Sequence, residues 1–483
     1  MNDLVFTTAQ ELARSIRQRQ VSATEVLDAH LQQIARHNRA LNAIVTLDEE
    51  RARTRAREAD AAMARGDLWG PLHGVPVTIK DSIETAGLRT TSGFPPLAEY
   101  VPATDAPVVA RLRAAGAIIL GKTNLPTLAM DVQTDNPIFG RSNNPWNLTR
   151  TPGGSTGGGG AAVAAGLTPL EIGSDIAGSV RIPAHYCGIY TIKPTDHRVP
   201  VTGHIPEPPG APRGVRHMPQ LGPLGRSVDD LILALGLIAG PDGRQWEVPP
   251  VPLEPAQHRA LNELRFAWTD DFGGVSVSSD TKAALARFAG ELQKLGSTVE
   301  FCPLAEFDFA TAWETWGEVF QAEVGSTMPP EAEAQFAVQF GATLDADAPL
   351  VRGMAHAVNA TMRQYTAALM KRDALIAVME QFLATWDVLL CPVTAGPAFP
   401  HCQPRTPIAV DGGVVAYWTA TAAYTTPFSL TGHPAVVLPM ARSAEGLPIG
   451  LQVVGRRWGD MQLLAIARQL AEVIGPFQRP PGY

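Results

Sequence analysis

The sequence has little from which to build a covalent or metal framework. Four cysteines occur in 483 residues, Cys187, Cys302, Cys391 and Cys402, with no C-x-x-C spacing among them. They read as reduced thiols in a cytosolic protein, without a disulfide scaffold or a metal site. No stretch approaches the ~20 apolar residues that cross a bilayer. The segment MNDLVFTTAQELARSIRQRQ lacks the apolar core and small-residue cleavage site of a secretory signal. The expectation is therefore a cytoplasmic protein with no membrane partner. An excess of positive charge is missing too: 39 Lys and Arg against 47 Asp and Glu leave a net charge of −8, which disfavours nucleic acid as a partner. Short-period repeats and low-complexity segments are absent.

What is present is material for a large core. With 45% hydrophobic and 18% charged residues, the chain has room for roughly two to four domains of ordinary size. Thr8-x-x-Glu11 and Ser22-x-x-Glu25 fit the capping box, in which the hydroxyl caps a free amide and the acid reaches back, so two helices fill positions 8 to 38. A charged helix follows over Glu49 to Arg65. Short apolar runs (Val75 to Ile79, Ala117 to Leu120, Pro169 to Ile172, Gly188 to Ile192) then alternate with helical patterns over Val108 to Ala115 and Gly158 to Ala165, which indicates a mixed α/β sheet. Ser227-x-x-Asp230 caps another helix. Thr281 to Leu295 is helical before a strand at Thr298 to Phe301, and Val388 to Leu390 and Ala435 to Leu438 are later strands. Thr202 to Gly214 is a Pro- and Gly-rich loop, either bordering a site or simply crossing the surface.

The chemistry concentrates between Pro152 and Pro183. Ser155 follows Gly153 and Gly154, and Ser179 follows Ile176, Ala177 and Gly178, so both hydroxyls sit in backbone that can approach a ligand closely. Upstream, the apolar run from Val75 ends in Lys80, and a lysine closing a buried strand must be paired, exposed or used. Two serines and a lysine make a proton chain. Two other patterns are weaker. Gly116 to Thr123 satisfies the P-loop spacing, but its interior is an apolar strand-like run where a phosphate loop needs a flexible turn. Gly153 to Gly157 satisfies G-x-S-x-G, but polar, proline-punctuated residues stand where a buried strand should precede it. Lys122 reads as structural.

The constellation resembles the amidase signature family, whose Ser-cisSer-Lys triad matches Ser179, Ser155 and Lys80 at ungapped intervals. The resemblance extends through GKTNLP (Gly121 to Pro126), NPWN (Asn144 to Asn147), CGIYTIKPT (Cys187 to Thr195), GPLGRSVDDL (Gly222 to Leu231), and GHPAVVLP with GLPIGLQVVG towards the C-terminus. It weakens between about Pro250 and Phe382. Thr156 stands where a second serine is common, and Ala177 where glycine is common, which sets a methyl beside the oxyanion hole. The family implies one α/β domain over 1–483 with a central mixed sheet covered by helices on both faces. Its parts would be N-terminal helices over 1–70, the catalytic core over 71–240, a variable helical region over 241–385 near substrate entry, and the rest of the core over 386–483.

The resemblance also implies roles. A lysine whose ammonium is destabilised by burial can accept a proton near neutral pH. Lys80 would deprotonate Ser155, which takes the proton of Ser179 as that serine attacks a carbonyl. The amides of Ile176, Ala177, Gly178 and Ser179 would hold the oxyanion, Ala129, Met130 and Gly154 would border the substrate, and Asp81, Asp175 and Arg181 would support the turn. No cofactor or metal is implied, and a homodimer is compatible with the pattern. Two activities share the triad: a stand-alone hydrolase of small amides, anilides or carbamates (urethanes), and the A subunit of a tRNA-dependent amidotransferase that releases ammonia from glutamine. The run from Lys193 to Pro206, closing in Gly203-His204-x-Pro206, resembles the stand-alone members better. Family enzymes of that kind act on nylon oligomers and urethanes. Trp313, Trp316, Phe320, Phe336 and Phe340, at helical spacing, read as core or as the roof of an apolar pocket.

Overall fold

The computed structural model describes residues 4–205, 213–328, 331, 333, 335 and 348–483. Phe336, Phe340 and residues 206–212 of the proline-rich loop lie outside the described residues.

One eleven-stranded sheet gathers segments from nearly the whole chain. Its strands are β1 (Ile44–Leu47), β2 (Pro76–Lys80), β3 (Ile118–Thr123), β4 (Glu171–Asp175), β5 (Tyr190–Lys193), β6 (Gln220–Gly225), β7 (Arg265–Trp268), β8 (Thr298–Phe301), β9 (Val388–Pro392), β12 (Ala435–Arg442) and β13 (Pro448–Val454). A separate hairpin pairs β10 (Ile408–Val410) with β11 (Gly413–Val415). The order in the large sheet is β1-β3-β2-β4-β6-β5-β12-β13-β9-β7-β8. Strand β2 runs parallel to β3 and β4, and β7 runs parallel to β8 and β9, while β4–β6, β5–β12 and β12–β13 are antiparallel.

Both faces of the sheet are buried, because neighbouring residues of a strand point to opposite sides. Along β9, Val388 and Leu390 enter one apolar cluster while Leu389 and Cys391 enter another, and Phe266 and Ala267 of β7 divide the same way. The α/β reading is thus the observed architecture. Both N-terminal capping boxes are formed, at Thr8 before the helix Ala9–Arg17 and at Ser22 before Ala23–Leu41. Among the described residues, no helix is long and apolar enough to cross a membrane.

Several boundaries differ from the sequence reading. The strand expected over Pro169 to Ile172 is shifted to Glu171–Asp175, since Leu170 closes the preceding turn while the ladder continues through the polar Ser174 and Asp175. Strand β6 carries no strand-like pattern, because QLGPLG contains a proline and two glycines; Pro223 nevertheless sits opposite Ile172 within the sheet. Region 241–385 is not only helical, since it supplies β7 and β8 to the sheet edge besides the long helices Phe309–Gly325 and Met362–Thr385.

Candidate active site

The parallel pairing of β2 with β4 brings the C-terminal ends of both strands to one edge of the sheet, and each ends in an ionisable side chain, Lys80 and Asp175. Between them in sequence, the glycine-rich turn carrying Ser155 opens into the helix Gly157–Ala164. The peptide bond between Gly154 and Ser155 is cis. A Cβ at Gly154 would lie 2.7 Å from the backbone oxygen of Asp131, so only glycine lets the two segments touch. Gly154 is consequently absent from the cavity lining: it acts by close packing behind Ser155, and the expectation that it borders the substrate is corrected.

Lys80 is fully buried. Its Nζ donates to Ser155 Oγ at 2.6 Å and to Ser174 Oγ at 2.9 Å. Burial pulls its pKa down to about 7, against the opposing pull of the Asp175 and Glu171 carboxylates. Half-neutral near pH 7, the amine can equally accept the Ser155 proton. Ser174 has no sequence signature of its own; the one available signal is its position beside Asp175 at the end of a strand.

Ser179 follows β4 by a turn over Ile176 to Val180. Thr156, next to Ser155, donates its backbone N–H to Ser179 O at 3.1 Å, which ties the two serine turns together. The relay of side-chain hydrogen bonds stops at Ser155: among the described residues, none joins Ser155 Oγ to Ser179 Oγ, although both face the same cavity. Gly178 has φ +110, and a Cβ there would meet Thr425 Oγ1 at 2.6 Å. Its N–H donates to Asp175 Oδ1 at 2.8 Å, which removes it from the expected oxyanion donors. The amides of Ile176, Ala177 and Ser179, residues that line the cavity, donate to no described residue.

Asp175 and Arg181 pair beneath this turn. Arg181 Nε and Nη2 bond the two Asp175 oxygens at 3.0 and 2.9 Å, and neither residue's side chain is exposed. The guanidinium also donates to Thr425 O and Gln452 Oε1 at 2.9 Å each and to Ser429 Oγ at 2.7 Å. Asp81 does not pair with Lys80. Its Oδ2 accepts from Thr91 N and Oγ1 at 3.0 and 2.6 Å, and it supports the loop leading to Phe94 instead. The reason is geometric: consecutive residues leave the end of β2 in opposite directions. Lys122 is buried and bonded to Ile83 O, Thr85 Oγ1 and Thr90 Oγ1. It is structural, and the P-loop spacing is a turn entering β3.

The serines open into a cavity of about 370 Å³. Ala129 and Met130 line it, and Leu128 and Ala129 adopt φ +52 and +60, a strained conformation for residues with a Cβ. Trp316 and Phe320 form a wall, their rings stacked at 4.8 Å; Trp313 belongs to the core and donates Nε1–H to Ala423 O at 3.0 Å. His204 and Ile205, at the start of the proline-rich loop, line it together with Val201 just before the loop. His204 Nε2 is buried without a hydrogen bond, and burial with the Lys80 charge pushes the imidazole down to about 3. It is neutral at any working pH. No Lys or Arg is among the described lining residues.

Among the described residues, the group best placed for a metal is Glu314, Glu318 and His356. Its acids already pair with Lys371 at 3.0 Å and His356 at 3.3 Å, and none of the three lines the serine cavity.

A family model described as Amidase matches residues 25–464. An acylamidase from Rhodococcus erythropolis is 32% identical, the alignment covering 98% of this chain and 96% of that protein. The A subunit of the glutamyl-tRNA(Gln) amidotransferase from Geobacillus stearothermophilus is 31% identical, with 98% of each chain covered. The solved structure of a 6-aminohexanoate cyclic dimer hydrolase superposes with a TM-score of 0.80 at 27% identity over 99% of both chains.

Proposed function

This chain belongs to the amidase signature family, and we propose that it is a stand-alone serine hydrolase of apolar amides, anilides and carbamates. The observation that carries this reading is the cavity wall. Glutamine would bring an α-carboxylate, and a buried carboxylate needs a fixed cation; the described lining offers none, while aromatic and aliphatic side chains dominate. A flat aryl or alkyl body fits such a wall.

In the proposed reaction, neutral Lys80 takes the proton of Ser155, Ser155 takes that of Ser179, and Ser179 Oγ forms a bond to the substrate carbonyl carbon. The carbonyl electrons move to oxygen, opposite the amides of Ile176, Ala177 and Ser179. One well-placed donor of this kind is worth about 3 to 4 kcal/mol. Collapse of the intermediate breaks the C–N bond, and the amine leaves with a proton relayed through Ser155. Water then attacks the acyl or carbamoyl ester and regenerates the Ser179 hydroxyl. No step requires a second protein.

The test is product analysis with purified protein and no added factors. Free aromatic amine should appear from both an anilide and an N-aryl carbamate. Ammonia from glutamine only after amidotransferase partners are added, with both aryl substrates intact, would replace this reading with that of the amidotransferase component.

A further inference from the structure

Two carboxylates line the cavity, and they are differently committed. Asp175 spends its oxygens on Arg181, Gly178 and Val180. Asp131 does not. Its Oδ1 accepts from Tyr417 OH at 2.6 Å and from Val132 N–H at 2.7 Å, and the residue is only half-buried on the cavity wall.

The arrangement is braced from behind. Gln133 Nε2 donates to Tyr417 OH at 3.2 Å and to Cys402 O at 3.0 Å, and Cys402 N–H returns a bond to Gln133 Oε1 at 3.2 Å. Asp131 is thereby held in place on a wall that is otherwise mostly apolar. The residue is also close to the reacting centre, because its backbone oxygen packs on Gly154, directly before Ser155. Burial raises the carboxyl to about 6, with the Tyr417 hydroxyl, the neighbouring backbone amides and the Arg405 charge opposing, so the group is ionised at neutral pH.

We propose that Asp131 is a specificity-determining residue that accepts a hydrogen bond from an amine on the substrate, so that amine-bearing amides and carbamates are preferred over hydrocarbon isosteres. The proposal rests on the reading that this cavity holds the substrate. A carboxylate on an otherwise apolar wall offers an ammonium or amine N–H a charged acceptor, which an alkyl group cannot use. Charge-assisted bonds are the stronger kind. The apolar walls would take the rest of the molecule.

Acetanilides carrying an aminomethyl group at the ortho, meta or para position, each compared with its ethyl isostere, test the assignment through the ratio of kcat/KM values. At one ring position or more, the wild type should favour the amine by about tenfold, the equivalent of one modest charge-assisted bond, and Asp131→Asn should abolish that ratio. No preference at any position, or an undiminished ratio in Asp131→Asn, overturns the proposal. A second measurement needs no variant and no turnover: benzylamine should slow fluorophosphonate labelling of the wild type more than ethylbenzene does. Equal protection overturns the proposal as well. A wild type that cleaves none of the anilides counts against the functional reading, and the protection experiment then decides Asp131 on its own.

Discussion

Lys80 Nζ and Ser155 Oγ stand 2.6 Å apart, with both residues buried. In the proposed reaction that contact begins the proton relay, with Ser155 standing between the lysine and Ser179.

If Ser179 is the nucleophile, a fluorophosphonate should label it and stop turnover. Ser179→Ala should take up no label and lose on the order of 10³-fold or more in kcat, as removal of a nucleophile does elsewhere. Peptide mapping locates the label. Modification at Ser155 with Ser179 untouched would reverse the assignment of the two serines.

Lys80 carries the pH dependence. Its folded-state pKa, about 7, lies below the ordinary 10.5, so the neutral base becomes more abundant as pH rises through 7. The acylation rate should climb across that interval and level off above it. Lys80→Ala should be slower by several orders of magnitude, with the rise gone, while circular dichroism shows a folded protein. Near-wild-type acylation in this variant would make the lysine structural.

Ser174 offers a subtler test. Ser174→Ala removes one of the two hydroxyls on Lys80 Nζ, and a lost buried hydrogen bond of this kind costs about 1 to 3 kcal/mol. Because the partner is the base and not the substrate, kcat should fall by roughly 5- to 150-fold at that cost, with KM little changed. Steady-state kinetics on one anilide separates the two; a rise in KM alone would speak for a binding role.

Arg181→Ala should break the fold around the nucleophile. It strands a fully buried Asp175, and loss of one partner from a buried pair costs about 3 to 5 kcal/mol. Urea denaturation should show that loss, and labelling of Ser179 should slow in the protein that stays folded. An unchanged midpoint would mean that the pair contributes nothing to the turn.

That Lys80 and Ser155 meet is legible in the sequence because both lie in segments whose glycines, apolar runs and intervals are distinctive. Capping boxes at Thr8 and Ser22 are readable for the same local reason. The cavity is not. Ala129, Met130 and the loop from Thr202 point to parts of it, but Trp418 and Ala422 line it from a segment that no pattern marks as facing a ligand. That Asp81 bonds Thr91 is not legible either, because adjacency to Lys80 says nothing about which side of the strand end its side chain leaves. Gly178 looks like an oxyanion donor because a family turn specifies which amides are nearby, whereas the Asp175 carboxylate decides where that one points.

The strand order has a consequence for how the protein is made. Strands β12 and β13 bridge β5 and β9 in the middle of the sheet, and Thr425, Ser429 and Gln452 secure Arg181 behind the nucleophile. Lys80, Ser155 and Ser179 therefore leave the ribosome before the segments that brace Arg181, and the turn bearing Ser179 gains that brace only when the last strands are made.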